Sequence, residues 1–590
     1  MDKKEVAAIL NDIGTALEIK GENPFKVRSY YNAARNIETI GEDINLLARE
    51  DRLKDIPGVG ESISEKIKEL VTTGRMKYYE DLEKELPEGL FEMLRIPGLG
   101  PKKIKALWDE LGITNLAALE YACHENRIAA LPHFGERSQE KILEGIAFVK
   151  KAQGRYISSE IRAQAEALYD ALKKDKNAIR ISIAGSIRRR CETSKDIDIV
   201  VSSKKPEETG KKFASLPQVA TITAQGETKV SVILKTNVAS DLRIVDDKQF
   251  PYALHHFTGS KEHNVAMRGR AEKKFGMKMN EYGLFAVGKG KGGEDKLIPC
   301  KDEAEIFRKL GLAYIEPELR ENMGEIEAAE KGKLPKLIEE KDVRGVIHVH
   351  TNHSDGLGSV RELAEACIKM GYEYLGIADH SATATYANGI SETRLPEQHK
   401  QIDALNRKLK GFKIFKSAEV DILSDGSLDY SKAALKSFDF VIAVVHARMP
   451  NKELEMTKAV IKALENPFVS MLGHPTGRLL LSREPFKVNI EKVIDACAAN
   501  GVVIEINANP QRLDLDWRYI KRAIEKGVKF CICPDAHHID DIRDIRYGVA
   551  TARKGWATKA DVINCLPAAK FLSAVRRGGQ TPKRTPTFHL

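Results

Sequence analysis

The stretch "GSIRRRCETSKDIDIV", residues 185–200, carries a Gly-Ser, a run of arginines and two aspartates one residue apart. Strand side chains alternate, so an extended "DIDIV" puts Asp196 and Asp198 on one face and sends Ile197 and Ile199 into a core. Two neighbouring carboxylates repel, an arrangement that persists when a hard cation sits between them. A second alternating string, "VASDLRIV" (238–245), places Asp241 and Arg243 on one face. Three aspartates on adjacent strands are a set able to hold two divalent cations for in-line phosphoryl transfer. Upstream, Gly185 and Ser186 end one strand and open a helix. A backbone nest there, with Arg189, suits an anionic triphosphate.

Strand-like strings occupy about 155–250: "IRISIAGS", "DIDIVVSS", "VSVILKT", "DLRIVDD". Before them, residues 1 to about 150 have helical periodicity, as in "VAAILNDIGTALEI". A short motif recurs there as "IPGVG" (56–60), "IPGLG" (96–100) and "LPHFG" (131–135), each followed by a basic amphipathic helix. Gly58, Gly60, Gly98 and Gly100 permit tight turns that aim backbone N–H groups outward at a helix N-terminus. That arrangement contacts phosphates and does not read bases. The third copy has His133 in place of a glycine. The 590 residues suit several domains, and 42% apolar residues are enough to fill several cores. The net charge of +9 suits a polyanionic partner. No apolar run is long enough to span a membrane, and the N-terminus lacks a secretory layout, so a cytoplasmic location is expected. Eight scattered cysteines, none in a Cys-x-x-Cys pair, point to a reducing compartment with neither a disulfide framework nor a zinc ribbon.

Ten of the fifteen histidines follow residue 340, so the two halves are expected to do different chemistry. Seven short apolar strings alternate with helical segments from 343 onward: "GVIHVHT", "YLGIADH", "KIFKSAEVDI", "FVIAVVHA", "SMLGHP", "VVIEINA" and "FCICPDAH". That alternation predicts a barrel or a parallel sheet. His348, His350, Asp355, His380, Glu419, His446, His474, Asp535 and His537 fall at or just after the C-terminal ends of these strands, where barrel enzymes place their sites. Nine nitrogen and oxygen ligands can hold up to three divalent metals, with Zn²⁺, Mn²⁺ or Fe²⁺ suiting the donors. Residues 320–342 are charged and read as a linker, and the tail "RRGGQTPKRTPTFHL" reads as flexible.

The spacing GS-x9-D-x-D resembles the nucleotidyltransferase signature. "HHFTGSKEHNVAMR" (255–268), "MNEYGLF" (279–285) and "IFRKLGLAYIEPELR" (306–320) are similar to nucleotide-binding and thumb segments of family X DNA polymerases. The Pro-Gly motifs resemble helix-hairpin-helix elements, and 343–575 resembles a PHP (polymerase and histidinol phosphatase) domain. The resemblance implies a multidomain α/β protein. Its parts would be a helix-hairpin-helix, lyase-like domain (1–90), a fingers-like domain (91–154), a palm (155–255) and a thumb (256–320). The linker (321–342), a distorted seven-stranded PHP barrel (343–575) and a tail (576–590) would follow.

The resemblance also implies residue roles. Asp196, Asp198 and Asp241 would hold Mg²⁺ or Mn²⁺, with Asp241 helping to deprotonate a primer 3′-hydroxyl. Arg155, Gly185, Ser186 and Arg189 would grip the triphosphate. Gly259, Ser260, Lys261 and Asn264 would line the nucleotide pocket. Lys229, Arg243, Arg268 and Tyr282, with the four hairpin glycines, would contact DNA. Lys66 falls at the Schiff-base lysine of the family's lyase domains, with Ser62 where some relatives carry a supporting lysine. His256 and Lys261 depart from the Tyr and Asp common in the family. Arg478 is a candidate phosphate contact. The function implied is gap-filling synthesis on gapped or primer-template DNA from dNTPs by a monomer, with 3′→5′ exonuclease activity, and AP endonuclease or 3′-phosphatase activity, from the PHP domain. The alternatives are a gap-binding repair scaffold, a phosphoesterase with little or no polymerase activity, and a template-independent nucleotidyltransferase.

Overall fold

The computed structural model describes residues 2–40, 42–125, 127–129, 131–132, 134–152, 154–288, 295–446 and 452–576. The chain divides into two units, Met1–Gln153 with Leu481–Arg483, and Gly154–Leu480 with Glu484–Leu590.

Within the described residues, 2–152 are helical around one apolar core running from Val6 to Val149. The Pro-Gly repeats have the same local geometry. Gly58 and Gly98 both have φ +80°, the left-handed region that favours glycine. Gly60 and Gly100 are extended caps of helices α1 (Glu61–Thr73) and α2 (Pro101–Leu111), and neither cap is closed by a side chain. In both copies the backbone N–H after the turn donates a 3.0 Å bond across it, Val59 to the Ile56 carbonyl and Leu99 to the Ile96 carbonyl. The third copy keeps this frame, Phe134 to Leu131 at 3.2 Å, although His133 lies outside the described residues.

The second unit opens with a five-stranded sheet. Its strands are β1 (Ala178–Ile183), β2 (Asp196–Ser203), β3 (Val219–Gln225), β4 (Lys229–Leu234) and β5 (Ala239–Val245), in the order β1-β2-β5-β4-β3. Only β2 and β5 run parallel. Their alternation is the expected one: Ile197, Ile199, Leu242 and Ile244 are buried, and the intervening aspartates are not. Helices α3 (Phe250–Thr258) and α4 (Lys261–Phe275) follow, then a small antiparallel sheet of β6 (Met277–Asn280), β7 (Gly283–Ala286) and β8 (Lys296–Leu297).

The segment read as a linker is packed instead. Helix α5 (Glu325–Glu330) lies there, Glu325 is fully buried against His263 Nδ1 at 2.7 Å, and Ala329, Leu337 and Ile338 enter cores. Its charged composition concealed carboxylates whose partners lie elsewhere in the chain.

Arg320 is fully buried, with its guanidinium 5.1 Å from the Phe307 ring and 5.4 Å from the Tyr314 ring, and it pairs with Glu303. Arg188 pairs with the same carboxylate at 2.5 Å. Burial opposes the charge on Glu303, but Arg320 and Arg188 outweigh it and draw the carboxyl down to about 2. A depressed native pKa contributes stability above the unfolded value, and that stability is lost as pH falls through the native one. The shift is equivalent to about 3 kcal/mol. Glu303→Gln is therefore expected to lower Tm at neutral pH and to flatten the decline of Tm between about pH 5 and pH 3, as thermal unfolding across that range will show.

Seven parallel strands form the rest. They are β9 (Gly345–Val349), β10 (Tyr374–His380), β11 (Lys413–Asp421), β12 (Phe440–Val444), β13 (Val469–Leu472), β14 (Val503–Asn507) and β15 (Phe530–Cys533). Each pairs with the next in sequence. The first and last ends meet where Ala536 N donates to His348 O and His350 N donates to Ala536 O, nearly closing a barrel.

Candidate active sites

Asp198 and Asp241 are register partners on β2 and β5, and Asp196 lies one pleat along on the same face. Burial, then Asp196 and Asp241, push the Asp198 carboxyl up to about 7. Asp196 is raised by the same causes, with Asp241 as the neighbouring charge. Asp241 accepts Ser231 Oγ at 2.6 Å and Lys229 Nζ at 2.7 Å. Two crowded, half-desolvated carboxylates with raised pKa values are a donor set that divalent cations neutralise, so the residues fit divalent cations. Gly185 has φ +59°, and a Cβ there would collide with the Asp198 carboxylate. The Gly-Ser turn is thus shaped by the aspartate it faces. Ser186 Oγ bonds Ser194 Oγ, and Arg155 donates to Thr193 Oγ1 at 2.7 Å.

The arginines differ from the expectation. Arg188 is held by Glu303, and Arg189 by Glu321 at 2.9 Å and the Thr258 carbonyl at 2.9 Å. Both tie the turn to the thumb, and only Arg190 of the run is exposed. Arg243 lies 4.7 Å over the Phe257 ring, and Lys229 spends its charge on Asp241. In the thumb, Ser260 caps α4 through the His263 N–H, which sets Lys261 at the first turn. Asn264 Nδ2 donates to the His256 and Gly259 carbonyls, and a Cβ on Gly259 would strike Asn264 Oδ1. His256, Asn264 and Arg268 line one crevice with Met279 and Asn280. Tyr282, in the β6–β7 turn, is exposed. Lys66 donates to Ser62 Oγ at 2.6 Å and lies 4.8 Å from the Tyr78 ring. Desolvation, with Lys26 nearby, lowers its pKa.

The barrel brings all nine predicted ligands together. Glu419, on β11, is almost fully buried at their centre. Its Oε1 faces His474 Nε2 at 2.8 Å, His348 Nε2 at 3.2 Å and His446 Nε2 at 3.3 Å, and its Oε2 faces His380 Nδ1 at 2.7 Å. Asp535 meets His350 Nε2 at 3.2 Å, and Asp355 meets His537 Nε2 at 3.4 Å and His380 Nε2 at 3.5 Å. Three subsets place their donor atoms mutually within 4.8 Å: His350, Asp355, His380 and His537; His348, His350 and Asp535; and His380, Glu419 and His446. His348 Nε2, His350 Nδ1, His380 Nδ1 and Glu419 Oε2 are buried, and the close approaches among them lack hydrogen-bond geometry. Buried nitrogen and oxygen ligand atoms that converge without proper hydrogen bonds fit divalent metals. His348, His474 and Asp535 also have positive φ, strain of the kind that clusters at functional sites.

Two carboxylates escaped the sequence reading. Glu505 accepts from His348 Nδ1 at 2.6 Å and His474 N at 2.5 Å, and Asp421 faces His446 Nδ1 at 2.8 Å. Both fix imidazole orientation from behind. An acid inside the apolar string "VVIEINA" was the available signal for Glu505. Arg478 is corrected too. It is buried, bonded to Asp516 at 2.7 Å and to the Arg512 and Leu513 carbonyls, and lies 3.5 Å from Glu192, just before β2. It braces the barrel against the segment that leads into β2.

Family models match in four places. They are a helix-hairpin-helix domain over residues 1–76, a SAM-like helix-hairpin-helix tandem over 91–147, a DNA polymerase beta thumb over 253–321 and a PHP domain over 347–509. The DNA polymerase/3′-5′ exonuclease PolX of Bacillus subtilis (strain 168) is 39% identical over 96% of this chain and 97% of its own length. The chain belongs to the PolX family. Shorter likenesses cover part of the chain. A protein of Thermoanaerobacter sp. (strain X514) named a probable phosphatase is 28% identical over 37% of this chain and 88% of its own. One of Acetivibrio thermocellus with the same name is 33% identical over 27% of this chain and 63% of its own. In this PolX family member the PHP match ends at residue 509, yet β15 completes the same barrel and carries Asp535 and His537 to the cluster. PolX membership makes the chain a family X DNA polymerase with a PHP exonuclease domain. Among the described residues, no helix is long and apolar enough to cross a membrane.

Proposed function

We propose that this chain fills short gaps in DNA by template-directed synthesis from dNTPs at the palm and trims 3′ ends at the PHP cluster. The observation that carries this reading is the presence of two separate clusters of candidate cation-binding side chains: in-register Asp198 and Asp241 with Asp196, and nine converging His, Asp and Glu side chains in the barrel. Bound Mg²⁺ or Mn²⁺ at the palm would neutralise the aspartates and the developing charge on phosphate. The chain itself supplies orientation. Lys229 and Ser231 hold Asp241 toward the position of a primer 3′-hydroxyl, and the Gly185–Ser186 turn offers backbone N–H groups to the triphosphate. In the barrel, Glu505 and Asp421 hold His348 and His446 by Nδ1, which would leave Nε2 of each to hold a divalent metal. The two hairpins grip the sugar-phosphate backbone independently of sequence, and binding weakens with salt. The protein acts as a monomer in the cytoplasm, with Zn²⁺, Mn²⁺ or Fe²⁺ in the barrel.

A labelled one-nucleotide gap with Mn²⁺ tests this reading. Asp196→Ala/Asp198→Ala should lose extension and keep 3′ shortening, and His348→Ala should do the reverse. Loss of both activities in either folded variant would reject two independent sites.

Lys66 carries a third activity in this reading, removal of a 5′-deoxyribose phosphate through an imine. Desolvation lowers its pKa, as attack by a neutral amine requires. Borohydride is expected to trap wild type on a pre-incised abasic substrate, and Lys66→Ala should cut the adduct by at least about tenfold. An undiminished adduct would move the chemistry to another amine.

A further inference from the structure

The mouth of the PHP cluster carries an aromatic side chain that the fold does not use for packing. Tyr386 is 69% exposed, the second-highest value among the large hydrophobic residues exposed on the described surface. Its ring centroid lies 6.1 Å from that of His380 and 6.2 Å from that of His446. The interplanar angles are 62° and 80°, so the tyrosine stands upright against two cluster imidazoles.

The loop bearing it is tied down on several sides. Ile390 N donates to the His380 carbonyl at 2.8 Å, and Ala387 N donates to the Ala384 carbonyl at 3.0 Å. Thr383 Oγ1 donates at 2.9 Å to Asp421, the same carboxylate that faces His446, and Thr383 N donates to Asp429 at 2.7 Å. Asn388, at φ +52°, donates to the Ser354 carbonyl beside Asp355, and a Cβ on Gly389 would run into the Ser381 carbonyl. Ala384, Ala387 and Ile390 are buried beneath the loop, and these anchors together fix an exposed ring beside the ligands. A second large apolar side chain, Leu357, is 48% exposed, and its N–H bonds the His537 carbonyl. Scattered exposed apolar side chains are ordinary, and Tyr386 is set apart by its anchored loop and its ring contacts with His380 and His446.

We propose that Tyr386 stacks on the nucleobase of the 3′-terminal nucleotide whose phosphodiester is delivered to the cluster. The proposal rests on the reading that this cluster trims 3′ ends. A metal cluster holds only the phosphate, which every phosphate ester shares. An upright aromatic wall beside it adds the feature that separates a nucleic-acid end from a small phosphate ester. Every base has a π-face, so the contact tolerates all four bases and needs an unpaired end.

The test compares two single-stranded oligonucleotides differing only at the 3′ end, one with 2-aminopurine and one with an abasic analogue. Wild type is expected to shorten the base-bearing end about tenfold faster. Tyr386→Ala should bring that ratio close to unity, and Tyr386→Phe should retain it. Binding provides a second readout. In chelator, 2-aminopurine fluorescence should be quenched on wild type and on Tyr386→Phe, and not on Tyr386→Ala. A Tyr386→Ala enzyme that keeps the rate ratio and the quenching would overturn the proposal, as would equal slowing on both ends with the ratio intact. A wild type that quenches 2-aminopurine but shortens neither end would reject the trimming assignment and leave the stacking in place.

Discussion

Asp198→Asn is expected to reduce gap filling on the order of a thousandfold, with 3′ shortening unchanged. Asn keeps the shape and one oxygen of the carboxylate but removes its charge. Asp198 is the most enclosed of the three palm aspartates, facing the Gly185 turn on one side and Asp241 in register on the other. A cation there needs the charge of that oxygen pair. The nearby Arg189, Arg243 and Lys229 are themselves cationic and cannot stand in for a carboxylate, so Asp196 and Asp241 would be left to hold it. The fold should not suffer. Removing one of three crowded carboxylates relieves repulsion in a half-desolvated site, so metal-free Tm should be equal or higher. Single-turnover extension on the gapped substrate, with calorimetry in chelator, separates the two effects. A variant with normal extension would place the metal site elsewhere; a variant with lost extension and lowered Tm would mean the aspartate is structural.

The features legible in the sequence were those set by short spacing. "DIDIV" and "SDLRIV" announce alternating strands because the two-residue period needs no knowledge of the rest of the chain. The seven apolar strings after residue 343 each become one barrel strand, and the barrel's own rule places His348, His380, Glu419 and Asp535 at the strand ends. The two intact Pro-Gly repeats share one backbone geometry because glycine is the residue that accepts φ +80°. What could not be read was pairing across long separations. Nothing local to "SIRRRCE" shows that Arg188 meets Glu303 or that Arg189 meets Glu321. The arginines therefore read as free charge waiting for a substrate. The same blindness made residues 321–342 look like solvated linker, when Glu321 and Glu325 are buried partners of Arg189 and His263. Glu505 was passed over because its role depends on which histidine lies across the barrel.

One of those long-range pairs yields the second large expected effect. Lys554, on the barrel-side helix α6 (Ile545–Lys554), is 1% exposed. Its Nζ pairs with Glu321, donates to the Arg189 carbonyl at 3.2 Å and lies 4.4 Å from the Trp517 ring. Glu321 holds the Arg189 guanidinium, which in turn holds the Thr258 carbonyl, next to Gly259 and Ser260. A lysine of the PHP domain thus locks together the two segments read as the nucleotide pocket, the "GSIRRR" turn and the "TGS" turn. Lys554→Met leaves Glu321 buried with half of its compensation and should cost about 3–5 kcal/mol of stability. Displacing the turn by a fraction of an ångström should also slow synthesis by roughly tenfold to a hundredfold, through a raised KM for dNTP. The His cluster touches none of these groups, so 3′ shortening should persist wherever the variant remains folded. Lys554→Met/Glu321→Gln removes both charges and should recover part of the lost Tm, and the double-mutant cycle measures the coupling. Normal dNTP kinetics in a destabilised Lys554→Met protein would reduce the pair to a fastener between domains. A KM shift that follows the coupling energy would mean that the exonuclease domain helps to build the polymerase site.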